Sequence, residues 1–171
     1  MKEQIAMIQI GQKIDDFIDD SEFEVYQNDE IKKVKFSNYE GKWLVLLFYA
    51  ADFTFICPTE LQEAAEYYDE FKKEGAEILS VSTDTVFVHK AWHDNSPSIA
   101  KIGYPMVADA TARLLKALDI HDNSIGRSAE EILRKLQAAS FVRQHQGEVC
   151  PASWKPGKKT FKPGLDLVGK I

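Results

Sequence analysis

The sequence predicts an α/β domain: an open sheet flanked by helices. Three observations carry that prediction. The run Trp43-Leu44-Val45-Leu46-Leu47-Phe48-Tyr49 is apolar without alternation, as expected of a strand covered on both faces. Apolar residues then recur at offsets of three and four through Leu61, Ala64, Ala65, Tyr68 and Phe71, a helical stripe that stops before Gly75. A second apolar run follows at Ile78-Leu79-Ser80-Val81-Ser82, and strand, helix and strand joined by so little chain form a parallel βαβ unit.

The remaining elements follow in chain order. Residues 23–25 and 32–36 flank Asn28-Asp29, a pair that tolerates turn geometry, and are expected to form a hairpin at the edge of the sheet. The run at Trp43 is the expected central strand. Ligands in open α/β sheets bind beyond the carboxyl ends of the strands, which is where residues 50–57 emerge. Residues 87–93 and 111–118 read as helices and 104–108 as a short strand. Ser128-Ala129-Glu130-Glu131 is a capping box that opens a helix carrying Ile132, Leu133, Leu136 and Ala139 on one face. From Gly147 onward Pro151, Pro156, Gly157, Pro163 and Gly164 break periodicity, so the last stretch is expected to be an extended arm, suited to reach another subunit.

A chain of 171 residues, 44% hydrophobic and 28% charged, suits one soluble domain without repeats. A net charge of -6 excludes the basic face that a nucleic-acid binder needs. No apolar run is long enough to span a bilayer, and Met1-Lys2-Glu3-Gln4-Ile5 lacks the pattern of a signal peptide, so the expected location is the cytoplasm. The two cysteines, Cys57 and Cys150, are too few and too far apart for a secreted disulfide scaffold. In a reducing compartment they act chemically, or they are two unrelated buried thiols that pack as small hydrophobes.

Local context favours chemistry at Cys57. Proline is tolerated in the first turn of a helix, so Pro58 places Cys57 at the start of the helix expected to run to Glu74. Unpaired N–H groups and the positive end of the helix dipole favour a thiolate there, with no metal or cofactor required. Thr54, three residues earlier, is either a hydrogen-bond donor to the sulfur or to a bound peroxide, or only a helix cap. Glu60 has a plain alternative role as a first-turn anion.

Asp52-Phe53-Thr54-Phe55-Ile56-Cys57-Pro58-Thr59-Glu60-Leu61 resembles the peroxidatic motif of typical two-cysteine peroxiredoxins. Val81-Ser82-Thr83-Asp84, His89-Lys90-Ala91-Trp92-His93, Gly147-Glu148-Val149-Cys150-Pro151-Ala152 and Asp166-Leu167-Val168-Gly169-Lys170-Ile171 extend the resemblance over nearly the whole chain, in the bacterial alkyl hydroperoxide reductase C branch. The resemblance implies a thioredoxin-like fold with a central mixed sheet in residues 1–140 and an arm carrying Cys150 in residues 141–171. It implies a thiol peroxidase in which Cys57 takes an oxygen from hydrogen peroxide or an organic hydroperoxide and becomes a sulfenic acid. Cys150 of a neighbouring subunit then forms an intersubunit disulfide with Cys57, and a dithiol flavoprotein or a thioredoxin-like protein reduces it. No cofactor is implied, and the homodimers are expected to assemble into a ring decamer. The Gly-Gly-Leu-Gly insertion and carboxy-terminal Tyr-Phe helix of over-oxidation-sensitive members are absent, so Cys57 is expected to resist sulfinic acid formation.

Two departures bear on catalysis. Ala50 stands where the motif carries a proline, which predicts a looser and wetter site. The chain also passes from Leu115-Lys116-Ala117-Leu118-Asp119 almost directly to His121-Asp122-Asn123-Ser124-Ile125-Gly126-Arg127, where the family has a two-stranded hairpin and its main active-site arginine. The gap is a natural deletion, an engineered one, or a junction of two segments across an unrecorded stretch. In the last case α-carbon spacings near Asp119, Ile120 and His121 would exceed ~3.8 Å. Without the hairpin the sheet is shortened and a strand edge is left bare. Arg127 is the surviving cation, paired with Glu60 either as part of the site or as an ordinary salt bridge. Trp92 is a wall of the active site or core filler.

Three rival readings stand against the peroxidase. His89 and His93 are four apart on one helix, but no third zinc ligand accompanies them. A thioredoxin-type oxidoreductase would need Cys-x-x-Cys, and Glu60 occupies the second position. A redox-inactive assembly or chaperone-like protein would retain the fold and the oligomer while lacking the arginine.

Overall fold

The computed structural model describes residues 12–120 and 127–164. Strands β1 (Phe23–Gln27) and β2 (Glu30–Val34) pair antiparallel, with Phe23 opposite Val34 and Gln27 opposite Glu30. The two residues between them, Asn28 and Asp29, have φ of 50° and 61°. Two left-handed residues in succession give the turn whose twist matches that of the strands, and Asn and Asp adopt it at low cost.

Strand β3 (Trp43–Phe48) leads into helix α1 (Cys57–Glu66), followed by α2 (Tyr68–Lys73) and strand β4 (Ala76–Ser82). The single expected helix is therefore two, parted at Tyr67, where φ of -95° and ψ of 2° leave the helical region. Gly75, at φ of 72°, ends the second as anticipated. Helix α3 (Val86–Asn95), strand β5 (Met106–Ala108), helix α4 (Arg113–Ala117) and helix α5 (Ala129–Gln144) complete the order. The Ser128 side chain caps α5 by accepting from the Glu131 N–H. Among the described residues no helix is long and apolar enough to cross a membrane.

Among the described residues five strands lie in the order β2-β1-β5-β4-β3. β3, β4 and β5 run parallel while β1 pairs antiparallel with β2 and β5, giving a mixed sheet. The hairpin takes one edge, as expected. The other edge is β3, which corrects its assignment as the central strand. Its side chains alternate between two core clusters, Trp43, Val45 and Leu47 to one and Leu44, Leu46 and Phe48 to the other. Apolarity on both faces reports that both faces are covered, and says nothing of how many strands lie beyond. An edge at β3 accords with the shortened sheet. The expected junction beyond Ile120 falls on His121 to Gly126, outside the described residues.

The stretch after α5 is not extended. Val149 and Phe161 form an antiparallel bridge, with N–H to O distances of 2.8 and 3.0 Å. Trp154, 4% exposed, packs its ring 5.0 Å from that of Phe141 on α5, and its Nε1 donates to the Lys158 carbonyl. One large aromatic finding an apolar helix face outweighs the breaks in periodicity made by proline and glycine.

Candidate active site

Cys57 is the first residue of α1, with Pro58 beside it in the first turn. It is 8% exposed and belongs to the same core cluster as Trp92, Tyr49 and Leu61. The segment before it behaves oppositely: Phe53, Phe55 and Ile56 are exposed, Phe55 at 95%. Phe53 also adopts φ of 57°, which a bulky residue takes only against steric resistance.

Thr54 is half-buried in this segment, and its hydroxyl donates to the Ala51 carbonyl at 2.8 Å. It does not cap the helix, since Ile56 holds the cap position and makes no side-chain cap bond. The Thr54 oxygen keeps its lone pairs for an incoming donor, while its proton is engaged with the backbone.

The segment is anchored at Asp52 by a buried network that sequence reading missed. His89 Nδ1 lies 2.8 Å from Asp52 Oδ2, and His89 Nε2 lies 3.2 Å from the Val107 carbonyl. Both side chains are wholly withdrawn from solvent. Each ring nitrogen faces an oxygen, so the imidazole bridges the Asp52 carboxyl and the β5 backbone. The Tyr49 hydroxyl donates to Asp52 Oδ1 at 2.7 Å; burial first, then the Asp52 charge, pushes that phenol well above its ordinary pKa. The Asp52 N–H donates to Asp84 at 2.8 Å. Only chain folding brings positions 52 and 89 together, so no local spacing signals the pair.

His89 is thereby unavailable to a metal, and the pairing of His89 with His93 is not formed. His93 faces Tyr26 instead and groups with Asp29 and Asp94, whose carboxylates bond the Tyr26 hydroxyl and Lys90. Trp92 belongs to the core. It is buried, with its ring 6.0 Å from Tyr49 and 6.0 Å from Phe53.

Glu60 and Arg127 do meet. Arg127 donates from its backbone N–H to Glu60 Oε1 and from Nη1 to Oε2 at 3.2 Å. Glu63, one turn on, accepts from the Ala129 N–H at 2.8 Å, so two carboxylates of α1 receive the amino-terminal end of α5. The other arginines are engaged elsewhere: Arg113 with Asp19 and Ser21, Arg134 with Glu131 and the Trp154 carbonyl, and Arg143 over the Trp43 ring.

Cys150 lies against α5, its Sγ 3.9 Å from the Ala138 carbonyl. Desolvation raises its pKa above the ordinary thiol value and Glu148 adds to the rise, while Arg134 opposes it. Both cysteines are unbonded thiols. Cys57 opens α1, whereas Cys150 lies against the Ala138 carbonyl of α5.

The description "AhpC/TSA family" matches residues 10–150, and "C-terminal domain of 1-Cys peroxiredoxin" matches residues 138–168. Alkyl hydroperoxide reductase C of Salmonella typhimurium is 44% identical over 174 positions, taking in 86% of this chain and 93% of that protein. The Escherichia coli K12 protein of the same name is 42% identical over the same shares. Both alignments span more positions than the 171-residue chain supplies, as a shortened chain requires. Among solved structures, Enterococcus faecalis AhpC superposes with a TM-score of 0.75 at 36% identity, covering 78% of this chain and 96% of that one. Reduced Plasmodium vivax 2-Cys peroxiredoxin gives 0.79 at 26% identity over 85% and 91%. A buried cysteine opening a helix behind an exposed loop, on a mixed sheet shared with these proteins, agrees with the sequence likeness, and the chain belongs to the AhpC/TSA family.

Proposed function

We propose that the chain is a thiol-specific peroxidase that reduces hydrogen peroxide and organic hydroperoxides. The observation that carries this reading is Cys57 in the first turn of α1, behind a strained and exposed segment, in a chain of this family. The Cys57 thiolate attacks the terminal peroxide oxygen. An S–O bond forms, the O–O bond breaks, and water or alcohol leaves after taking a proton. The Cys150 thiol then condenses with the sulfenic acid; an S–S bond forms and water departs. An external dithiol, carried by a flavoprotein or a thioredoxin-like protein, restores both thiols by exchange.

Thr54 orients the peroxide through its oxygen lone pairs, Trp92 walls the site, and Glu60 with Arg127 fixes the start of α5 against α1. Residues 1–140 supply the peroxidatic core and residues 141–171 the arm with Cys150. The two thiols sit on different helices, Cys57 at the start of α1 and Cys150 against Ala138 of α5, and neither is bonded within the chain, which supports a disulfide between subunits. The exposed Phe53, Phe55, Ile56 and Phe87 support assembly of dimers into a larger ring, a decamer.

Peroxide consumption with a dithiol reductant tests the reading. Cys57→Ser abolishes turnover and Cys150→Ser abolishes the disulfide-linked dimer while sparing one oxidation per chain. Wild type no faster than Cys57→Ser would instead establish the redox-inactive assembly.

A further inference from the structure

The helical spacing pairs His93 with His89, but His89 is committed to Asp52 and the Val107 carbonyl. The fold gives His93 different neighbours. Strand β1 lies against α3, and the turn that follows β1 brings Asp29 to His93, while Asp94 comes next on the helix. One atom from each, an imidazole nitrogen and two carboxylate oxygens, lies within 4.8 Å of the other two. Tyr26 stands behind the three. It is buried, its hydroxyl donates to Asp29 Oδ1 at 2.9 Å and lies 3.4 Å from His93 Nδ1, and its ring meets that of His93 edge-on at 5.2 Å. One phenol thus orients both an imidazole and a carboxylate, as outer partners do around metal ligands. A cation is already drawn to the spot. Lys90 Nζ donates to Asp94 Oδ2 at 2.6 Å and lies 6.0 Å over the Tyr26 ring, and first Asp94 and then Asp29 hold its pKa above the ordinary lysine value.

We propose that Asp29, His93 and Asp94 form a binding site for a zinc-class divalent transition-metal ion, for which the Lys90 ammonium stands in. The donor set decides the class of ion. An imidazole nitrogen suits zinc, whereas magnesium and calcium take oxygen ligands, and three protein ligands leave a fourth position for water. The two carboxylates balance the charge of the dication, and Lys90 withdraws from Asp94 as the ion binds. The ion ties the β1–β2 turn to α3, the helix that also carries His89 and Trp92. The inference rests on β1, its turn and α3, and stands whether or not the chain reduces peroxide.

The test titrates zinc by calorimetry into the full chain carrying Cys57→Ser and Cys150→Ser, so that no thiol competes for the metal. One ion per chain binds more tightly than any other. Added to this background, Asp29→Asn, His93→Gln and Asp94→Asn each weaken that binding at least tenfold, and asparagine keeps the left-handed turn at position 29. Lys90→Gln removes the resident cation and tightens binding severalfold, a gain that an ordinary surface ion pair beside an unrelated zinc site would not give. X-ray absorption of the zinc-loaded chain shows a single imidazole with oxygen ligands, a readout that needs no substitution in the site. A large excess of calcium leaves the zinc in place. Absence of zinc binding, an affinity indifferent to the three ligand substitutions or to Lys90→Gln, a shell of several imidazoles, or displacement by calcium would each overturn the proposal.

Discussion

His89 and Asp52 illustrate how a side chain remote in sequence can set the geometry of a reactive loop. Removing the imidazole leaves the buried Asp52 carboxyl short of one hydrogen bond, which costs about 1–3 kcal/mol. His89→Ala is therefore expected to lose stability on that scale in urea unfolding and to open residues 50–57 to limited proteolysis. Tyr49→Phe removes one bond to the same carboxylate and should cost about 2 kcal/mol. Cys150 offers a second residue-scale prediction. Its raised pKa, caused first by desolvation and then by Glu148, leaves less thiolate at pH 8 than free cysteine holds. In Cys57→Ser, alkylation of Cys150 by iodoacetamide should be slower than that of free cysteine at pH 8, rising at a higher pH. Glu148→Gln removes one cause of the rise and moves that profile down in pH; Arg134→Gln removes the opposing cation and moves it up.

Elements stand between these side chains and the fold, and their boundaries depend on few residues. Gly75 holds φ of 72° with open space where a β-carbon would lie, so Gly75→Ala meets no neighbour and costs only the left-handed conformation, about 1–2 kcal/mol in urea unfolding. This stop was legible in the sequence, as were the Asn28-Asp29 turn, the Ser128 half of the expected capping box and the placement of Cys57 by Pro58; the Glu131 carboxylate pairs with Arg134 instead of returning to the cap. All depend on interactions within a few positions. The break at Tyr67 was not legible, because Ala64, Ala65, Tyr68 and Phe71 keep one apolar stripe across it. The edge position of β3 was hidden by its apolarity on both faces. The fold-back after α5 turned on Trp154 meeting Phe141, a contact that composition rich in proline and glycine does not announce. At the site, the motif around Cys57 and the meeting of Glu60 with Arg127 followed from family resemblance, whereas the Asp52–His89 pair required the sheet and α3 to be assembled first.

In the proposed mechanism the terminal arm links two chemical steps. Oxidation of Cys57 concerns α1 and the segment before it, while resolution needs Cys150, which the arm holds against α5 through Trp154, the Val149–Phe161 bridge and the bond from Arg134 to the Trp154 carbonyl. These attachments hold the Cys150 segment against α5. Removing the Trp154 ring deletes the largest apolar contact of the arm, so Trp154→Ala releases the arm while leaving the Cys57 environment in place. The first step, read as single-turnover loss of peroxide, should then keep its wild-type rate. The second, read as the appearance of the disulfide-linked dimer, should slow severalfold because Cys150 is no longer held in one place. A longer-lived sulfenic acid gives a second peroxide more time to react, so the variant should accumulate more sulfinic acid at Cys57 by mass spectrometry than wild type does. Equal slowing of both steps would mean that Trp154 supports the core as a whole, and unchanged resolution would mean that the arm reaches its partner without that anchor.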